Sequence, residues 1–144
     1  MMGKSTFASG GCACGAITYT ITGTPKTMVQ CHCHDCQKAT GTGHVSLAFF
    51  AKEDVNISGP ATGYTTTTDS GNQSSRYFCP TCGSRVYGLN SGRPGTITFP
   101  VGCMDDHSWF SPNAVVYTKY RNDWDMTRTD IPNFEEMPPP PPKS

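Results

Sequence analysis

Apolar and polar positions alternate with period 2 over several short stretches of the chain, the mark of half-buried strands. Residues 16–22 (AITYTIT) alternate cleanly, residues 45–50 (VSLAFF) are rich in apolar side chains, and residues 63–68 (GYTTTT) are dense in β-branched threonine. Residues 75–78, 85–87, 96–101 and 114–119 complete the set, with Gly or Pro in nearly every gap. One short helix is predicted, over residues 35–39. Thr40 and Gly41 follow it, and glycine there suits a C-terminal cap. The pattern therefore predicts a mainly β fold of short strands with one helical turn beside a cluster of cysteines.

Composition sharpens this. With 15 Gly and 12 Pro, the sequence has the turn content of an all-β chain, and 144 residues suit a single domain. From residue 131 the character changes, and Met137 to Ser144 (MPPPPPKS) lacks most of the backbone donors a sheet needs. The ordered domain is expected over residues 4–134, with 135–144 a proline-rich, disordered tail. The formal net charge is zero, and no basic face of the kind that binds nucleic acid is visible. No stretch is long and apolar enough to cross a bilayer. Residues 1–6 are too few and too polar for a signal sequence. Gly3-Lys4-Ser5-Thr6 resembles the end of a phosphate loop but lacks its upstream glycine and strand. A cytoplasmic protein is expected, and in a reducing compartment eight cysteines favour metal over disulfides.

Seven of those cysteines fall into three groups. Cys79 and Cys82, followed by Gly83, have the spacing of a zinc knuckle, whose turn aims two thiolates at one ion. A closed tetrahedral site needs four ligands, and the Cys12-x-Cys14 pair, also beside a glycine, is the natural complement. Cys31, Cys33 and Cys36 form a second set. Three cysteines this close in sequence can face one ion and leave its fourth position open, as reactive zinc requires. The alternative is a closed structural site with His32, His34 or His44 as fourth ligand. The helix after Cys36 would favour thiolate charge. Cys103 stands alone and reads as a small buried residue at the end of a strand, or as one that approaches the second metal.

Three motifs in order carry a resemblance. Gly10-Gly11-Cys12-Ala13-Cys14-Gly15, then Cys31-His32-Cys33-His34-Asp35-Cys36-Gln37-Lys38-Ala39-Thr40-Gly41, then Phe78-Cys79-Pro80-Thr81-Cys82-Gly83 resemble the glutathione-dependent formaldehyde-activating enzyme family, which includes centromere protein V. The likeness extends to Gly102-Cys103-Met104-Asp105-Asp106 and to Trp124 before Pro132-Asn133-Phe134. The resemblance implies a small zinc-stabilised β-tent of short antiparallel strands. It implies a structural zinc on Cys12, Cys14, Cys79 and Cys82, and a catalytic zinc on Cys31, Cys33 and Cys36 beside a glutathione cleft. Its activity joins glutathione and formaldehyde into S-hydroxymethylglutathione and is classed as a carbon–sulfur lyase. The chain departs from the family at residues 102–106, where Gly-Ser/Thr-Leu-Asp-Asp is usual, and in having His44 and His107.

Chemistry of that kind needs a group that exchanges protons near neutral pH, and His34 and His107 are the candidates. Lys38, just past the second cluster, can meet a carboxylate of glutathione as a point charge. The expected cofactor is two Zn2+ per chain and the expected partner glutathione or a related thiol adduct, with no nucleic acid and no membrane. A rival reading is a non-catalytic, zinc-stabilised module that carries glutathione or docks on a protein. The open three-cysteine site argues for the enzyme, since a scaffold needs only the closed one.

Overall fold

Strands dominate residues 5–138, the part of the chain described in this computed structural model. In chain order they are β1 (Ala8–Gly11), β2 (Thr18–Ile21), β3 (Thr27–Cys31), β4 (Val45–Ala51), β5 (Val55–Ser58), β6 (Thr62–Thr67), β7 (Gln73–Phe78), β8 (Arg85–Asn90), β9 (Thr96–Pro100) and β10 (Ala114–Val116). The helix α1 (His34–Thr40) follows β3. The fold is mainly β, as the alternation requires. The chain groups into two units, one of Met1–Thr27 with Ala48–Phe110 and one of Met28–Leu47 with Ser111–Ser144.

In the first unit β1, β2 and β5 form an antiparallel sheet in the order β1-β2-β5, with Ala8 opposite Ile21 and Thr18 opposite Ser58. Tyr19 and Ile21 face inward while Thr18 and Thr20 are exposed, the period-2 burial that the sequence announced. Strands β6 to β9 form an antiparallel meander, with the β6–β7 ladder running from Thr62 opposite Phe78 to Thr67 opposite Gln73. Phe50, Val86 and Phe99 are fully buried in this unit. The Phe99 ring lies 4.4 Å from Tyr19 and 5.9 Å from Phe50 between centroids. Strand β1 escaped the sequence reading because it is Ala-Ser-Gly-Gly. A side chain at Gly10 would come within 2.4 Å of the Cys103 carbonyl oxygen, so close approach takes precedence over β propensity there.

In the second unit β10 pairs with β3 in parallel, Ala114 opposite Val29 and Val116 opposite Cys31. All three residues of β10 are buried, as suits a parallel strand covered on both faces. On the other side of β10, the Val115 amide donates to the Pro132 carbonyl at 3.0 Å and the Phe134 amide to Val115 at 2.8 Å. The strand expected to reach residue 119 stops at Val116, because Tyr117 turns into the left-handed region at φ 57 and a 3-10 turn, Thr118–Tyr120, begins. The expected strand at 96–101 likewise gives way at Val101 to a 3-10 turn. The helix runs one residue further at each end than expected. It stops at Gly41, whose φ of 75 and N–H bond to the Gln37 carbonyl make it the predicted cap. No helix of the described residues is long and apolar enough to cross a membrane. Most of the proline-rich run lies outside the described residues, which end at Pro138.

Candidate functional site

The knuckle and the C-x-C pair meet in the first unit. The sulfurs of Cys12, Cys14, Cys79 and Cys82 all lie within 4.8 Å of one another. Cys14 is 3.7 Å from Cys12 and 3.7 Å from Cys79. A tetrahedral ion with zinc–sulfur bonds of about 2.3 Å sets its sulfurs about 3.8 Å apart, so the donor set fits. Gly83, at φ 77, closes the knuckle by donating to the Cys79 carbonyl at 2.8 Å. Backbone amides approach the sulfurs: Ile17 donates to Cys12 at 3.2 Å and Thr81 to Cys79 at 3.4 Å. The Ile17 amide lowers the Cys12 thiol, and bonds from Ser84 hold Cys82 down to about 5. Cys14 is drawn down by the Ala16 amide, yet its bonds with the neighbouring thiols outweigh this and push it up to about 11. Four sulfurs this close could hold one metal ion among them. Cys79 is fully buried against Ile17 and Val86, so this cluster is continuous with core packing.

The second unit holds Cys31, Cys33 and Cys36, whose sulfurs also lie within 4.8 Å of one another. Cys31 ends β3, and Cys33 is the N-cap of α1, its sulfur accepting the Cys36 amide proton at 3.2 Å. Residues 31 and 33 share one side of an extended chain, and the first helical turn returns Cys36 to them, 3.0 Å from Cys33. The Cys31 thiol is pushed up to about 12 by its bond with Cys33, and Cys36 is raised by Cys31 and Cys33 beside it. The trio resists carrying three negative charges by itself, the electrostatic setting a divalent cation relieves. Among the described residues no fourth His, Cys, Asp or Glu ligand atom joins this group.

The histidines considered as its fourth ligand lie elsewhere. His32 alternates away from Cys31 and Cys33, and with His44 it converges on Asp125. His44 Nδ1 is 2.7 Å and His32 Nδ1 3.4 Å from Asp125 Oδ2. Burial holds His32 below the usual histidine range, helped by His44 and opposed by the Asp125 carboxylate. This cluster went unread in the sequence. The only available signal was strand alternation at His32, since Asp125 is 81 residues from His44.

His34 opens α1 and is exposed, its ring 4.2 Å from Tyr120. Lys38 is exposed in the last turn of the same helix. Gln37 ties that helix down by donating to the carbonyls of His32 at 2.8 Å and Tyr120 at 3.0 Å. His107 is exposed in the first unit, its carbonyl accepting the Phe110 amide at 3.0 Å. Cys103 joins neither cysteine group. Its thiol donates to the Arg85 carbonyl at 2.9 Å, and burial raises it.

Comparison with protein families matches residues 7–120 to one described as glutathione-dependent formaldehyde-activating enzyme. A crystal structure of a Rhodobacter sphaeroides protein shares the fold, with a TM-score of 0.55 at 20% identity over 69% of this chain and 90% of that one. Curated protein sequences gave no match.

Proposed function

The chain belongs to the glutathione-dependent formaldehyde-activating enzyme family, and from that premise we propose that it is a zinc-dependent carbon–sulfur lyase acting on glutathione or a glutathione-type thiol adduct. The observation that carries this reading is the convergence of the Cys31, Cys33 and Cys36 sulfurs with no fourth protein ligand among the described residues. Two zinc ions per chain are proposed, a structural one on Cys12, Cys14, Cys79 and Cys82 and a reactive one on the trio. Zinc held by the trio would supply a Lewis acid with an exchangeable position, able to hold a sulfur as thiolate.

The protein's own residues set up the rest. The three cysteines concentrate negative charge, so an added thiolate is held reversibly, as turnover demands. The Cys36 amide, bonded to the Cys33 sulfur, fixes the cap of α1 and with it the spacing of the trio. In the synthetic direction the glutathione thiol gives up its proton and its sulfur forms a bond to the carbonyl carbon. The carbonyl oxygen then takes a proton, giving a hemithioacetal. His34 is assigned the proton transfer, as the histidine between Cys33 and Cys36 at the start of α1. His107 is the second proposed proton carrier. Lys38, one helical turn past His34, is assigned a carboxylate of the tripeptide.

Calorimetry on zinc-replete protein with glutathione and with S-methylglutathione tests the proposal. Measurable binding of the first and at least tenfold weaker binding of the second is expected, because only the free thiol can become a thiolate. Equal affinities would leave a carrier that holds the peptide alone and would sink the lyase reading.

A further inference from the structure

Outside the cysteine sets, one cluster has the donors of a metal site and no part in the chemistry above. His32, His44 and Asp125 each bring one ligand atom within 4.8 Å of the others, with both Nδ1 atoms facing Asp125 Oδ2. The His32 side chain is only 1% exposed, and its Nδ1 is buried without a hydrogen-bond partner. A buried ring nitrogen left unpaired loses its hydration with nothing in return, so a partner is called for. The atom it faces, Asp125 Oδ2 at 3.4 Å, is too far for a good hydrogen bond and already bonded to His44 Nδ1 at 2.7 Å.

We propose that His32, His44 and Asp125 bind a divalent first-row transition ion, distinct from the ions assigned to the cysteines. An ion about 2.1 Å from each donor would see Asp125 and His44 about 80° apart and Asp125 and His32 about 108° apart. Both angles fall within ordinary coordination geometry. Two imidazoles and one carboxylate suit zinc, ferrous iron or cobalt and disfavour magnesium and calcium, which prefer oxygen.

The surroundings are built to hold this arrangement. A side chain at Gly43 would meet Asp125 Oδ2 at 2.2 Å and its Cγ at 2.4 Å, so the carboxylate occupies space that only glycine leaves free. The Asp125 amide donates to the Asn122 carbonyl at 3.0 Å, and Arg121 clamps the same turn by donating to the Asn122 and Asp125 carbonyls. Asn122 in turn donates to the Gln37 side chain at 3.1 Å, and Gln37 holds the His32 carbonyl. Donors fixed through such partners hold a metal better than mobile ones.

Cobalt(II) titrated into protein that holds two zinc equivalents, those of the cysteine sets, and no third provides the test. One further equivalent should bind with visible d–d absorption and no thiolate-to-cobalt charge-transfer band, while the zinc content stays constant. In His44→Gln and in Asp125→Asn the affinity for that equivalent should fall at least tenfold, with the cysteine-held zinc unchanged. His44 is a quarter exposed and Asp125 less so, so His44→Gln is the variant expected to keep the fold if Asp125→Asn does not. Absence of the extra equivalent, retention of it in His44→Gln, or a charge-transfer band would each overturn the proposal. None of these outcomes bears on the count of cysteine-held zinc, so the two readings stand or fall separately.

Discussion

The Cys33 sulfur accepts the Cys36 amide proton at 3.2 Å, so one atom both caps α1 and belongs to the trio of thiols. Helix geometry and ligand geometry are thereby a single constraint. Serine in place of Cys33 would still cap the helix, as serine does well, while removing the sulfur. Cys33→Ser should therefore keep the far-ultraviolet circular dichroism of the wild type, lose one of two zinc equivalents by elemental analysis, and lose activity. A variant that unfolds would show that the trio holds the fold together.

Cys79→Ser should behave otherwise. Cys79 is fully buried among Ile17 and Val86, and its partners span from residue 12 to residue 82. The binding energy of a structural zinc, about 10–16 kcal/mol in small zinc domains, is also folding energy, and typical domain stability is about 5–15 kcal/mol. Insoluble or molten protein is expected, measured by thermal melting. A cooperative transition within a few degrees of wild type would remove the structural role.

Glutathione affinity should rise with pH between about 6 and 8. The free thiol titrates near 8.5, and a sulfur held as thiolate must release its proton, so each unit of pH up to that value favours the bound state by up to about tenfold. Calorimetry in buffers of different ionisation enthalpy would also count the released proton. A flat profile would mean that sulfur is bound as thiol.

His34→Ala should lower kcat about 10²- to 10⁴-fold, the usual worth of general acid–base catalysis, with glutathione binding kept. Lys38→Ala should mainly raise KM. An unchanged kcat in His34→Ala would transfer the role to His107 or to solvent.

Gly43→Ala should cost about 1–3 kcal/mol, the range for forcing extra volume into a packed site, because Asp125 must leave its place beside His44. Thermal melting measures this. No loss of stability would show that the Asp125 turn relaxes freely.

The sequence was most readable where local rules decide. Alternation at Thr18 to Ile21, glycine at position 41 and the spacing of Cys79 and Cys82 each depend on a few neighbouring residues, and each appears in the structure as expected. Strand β1 was hidden, because Gly10 and Gly11 are chosen for what approaches them from Met104 and Ile17, not for strand propensity. His32 and His44 were weighed as ligands for the trio because they are near it in sequence. The carboxylate their Nδ1 atoms face, Asp125, is brought by a turn some eighty residues on from His44, and no spacing rule reaches that far.

The second unit is stitched from residues 28–47 and from the chain beyond 111, and β10 gains its outer neighbour only at residues 132–134. On the ribosome the two cysteine sets therefore mature at different times. All four thiols of the first set have emerged once Cys82 has, and the first unit is complete at Phe110. The trio, though made earlier than Cys79, begins at the end of β3, whose parallel partner β10 follows 85 residues later, with Val116 opposite Cys31. The order of synthesis thus completes the scaffold of the four-cysteine set first, and protease protection of stalled nascent chains of increasing length would display the two units as separate steps.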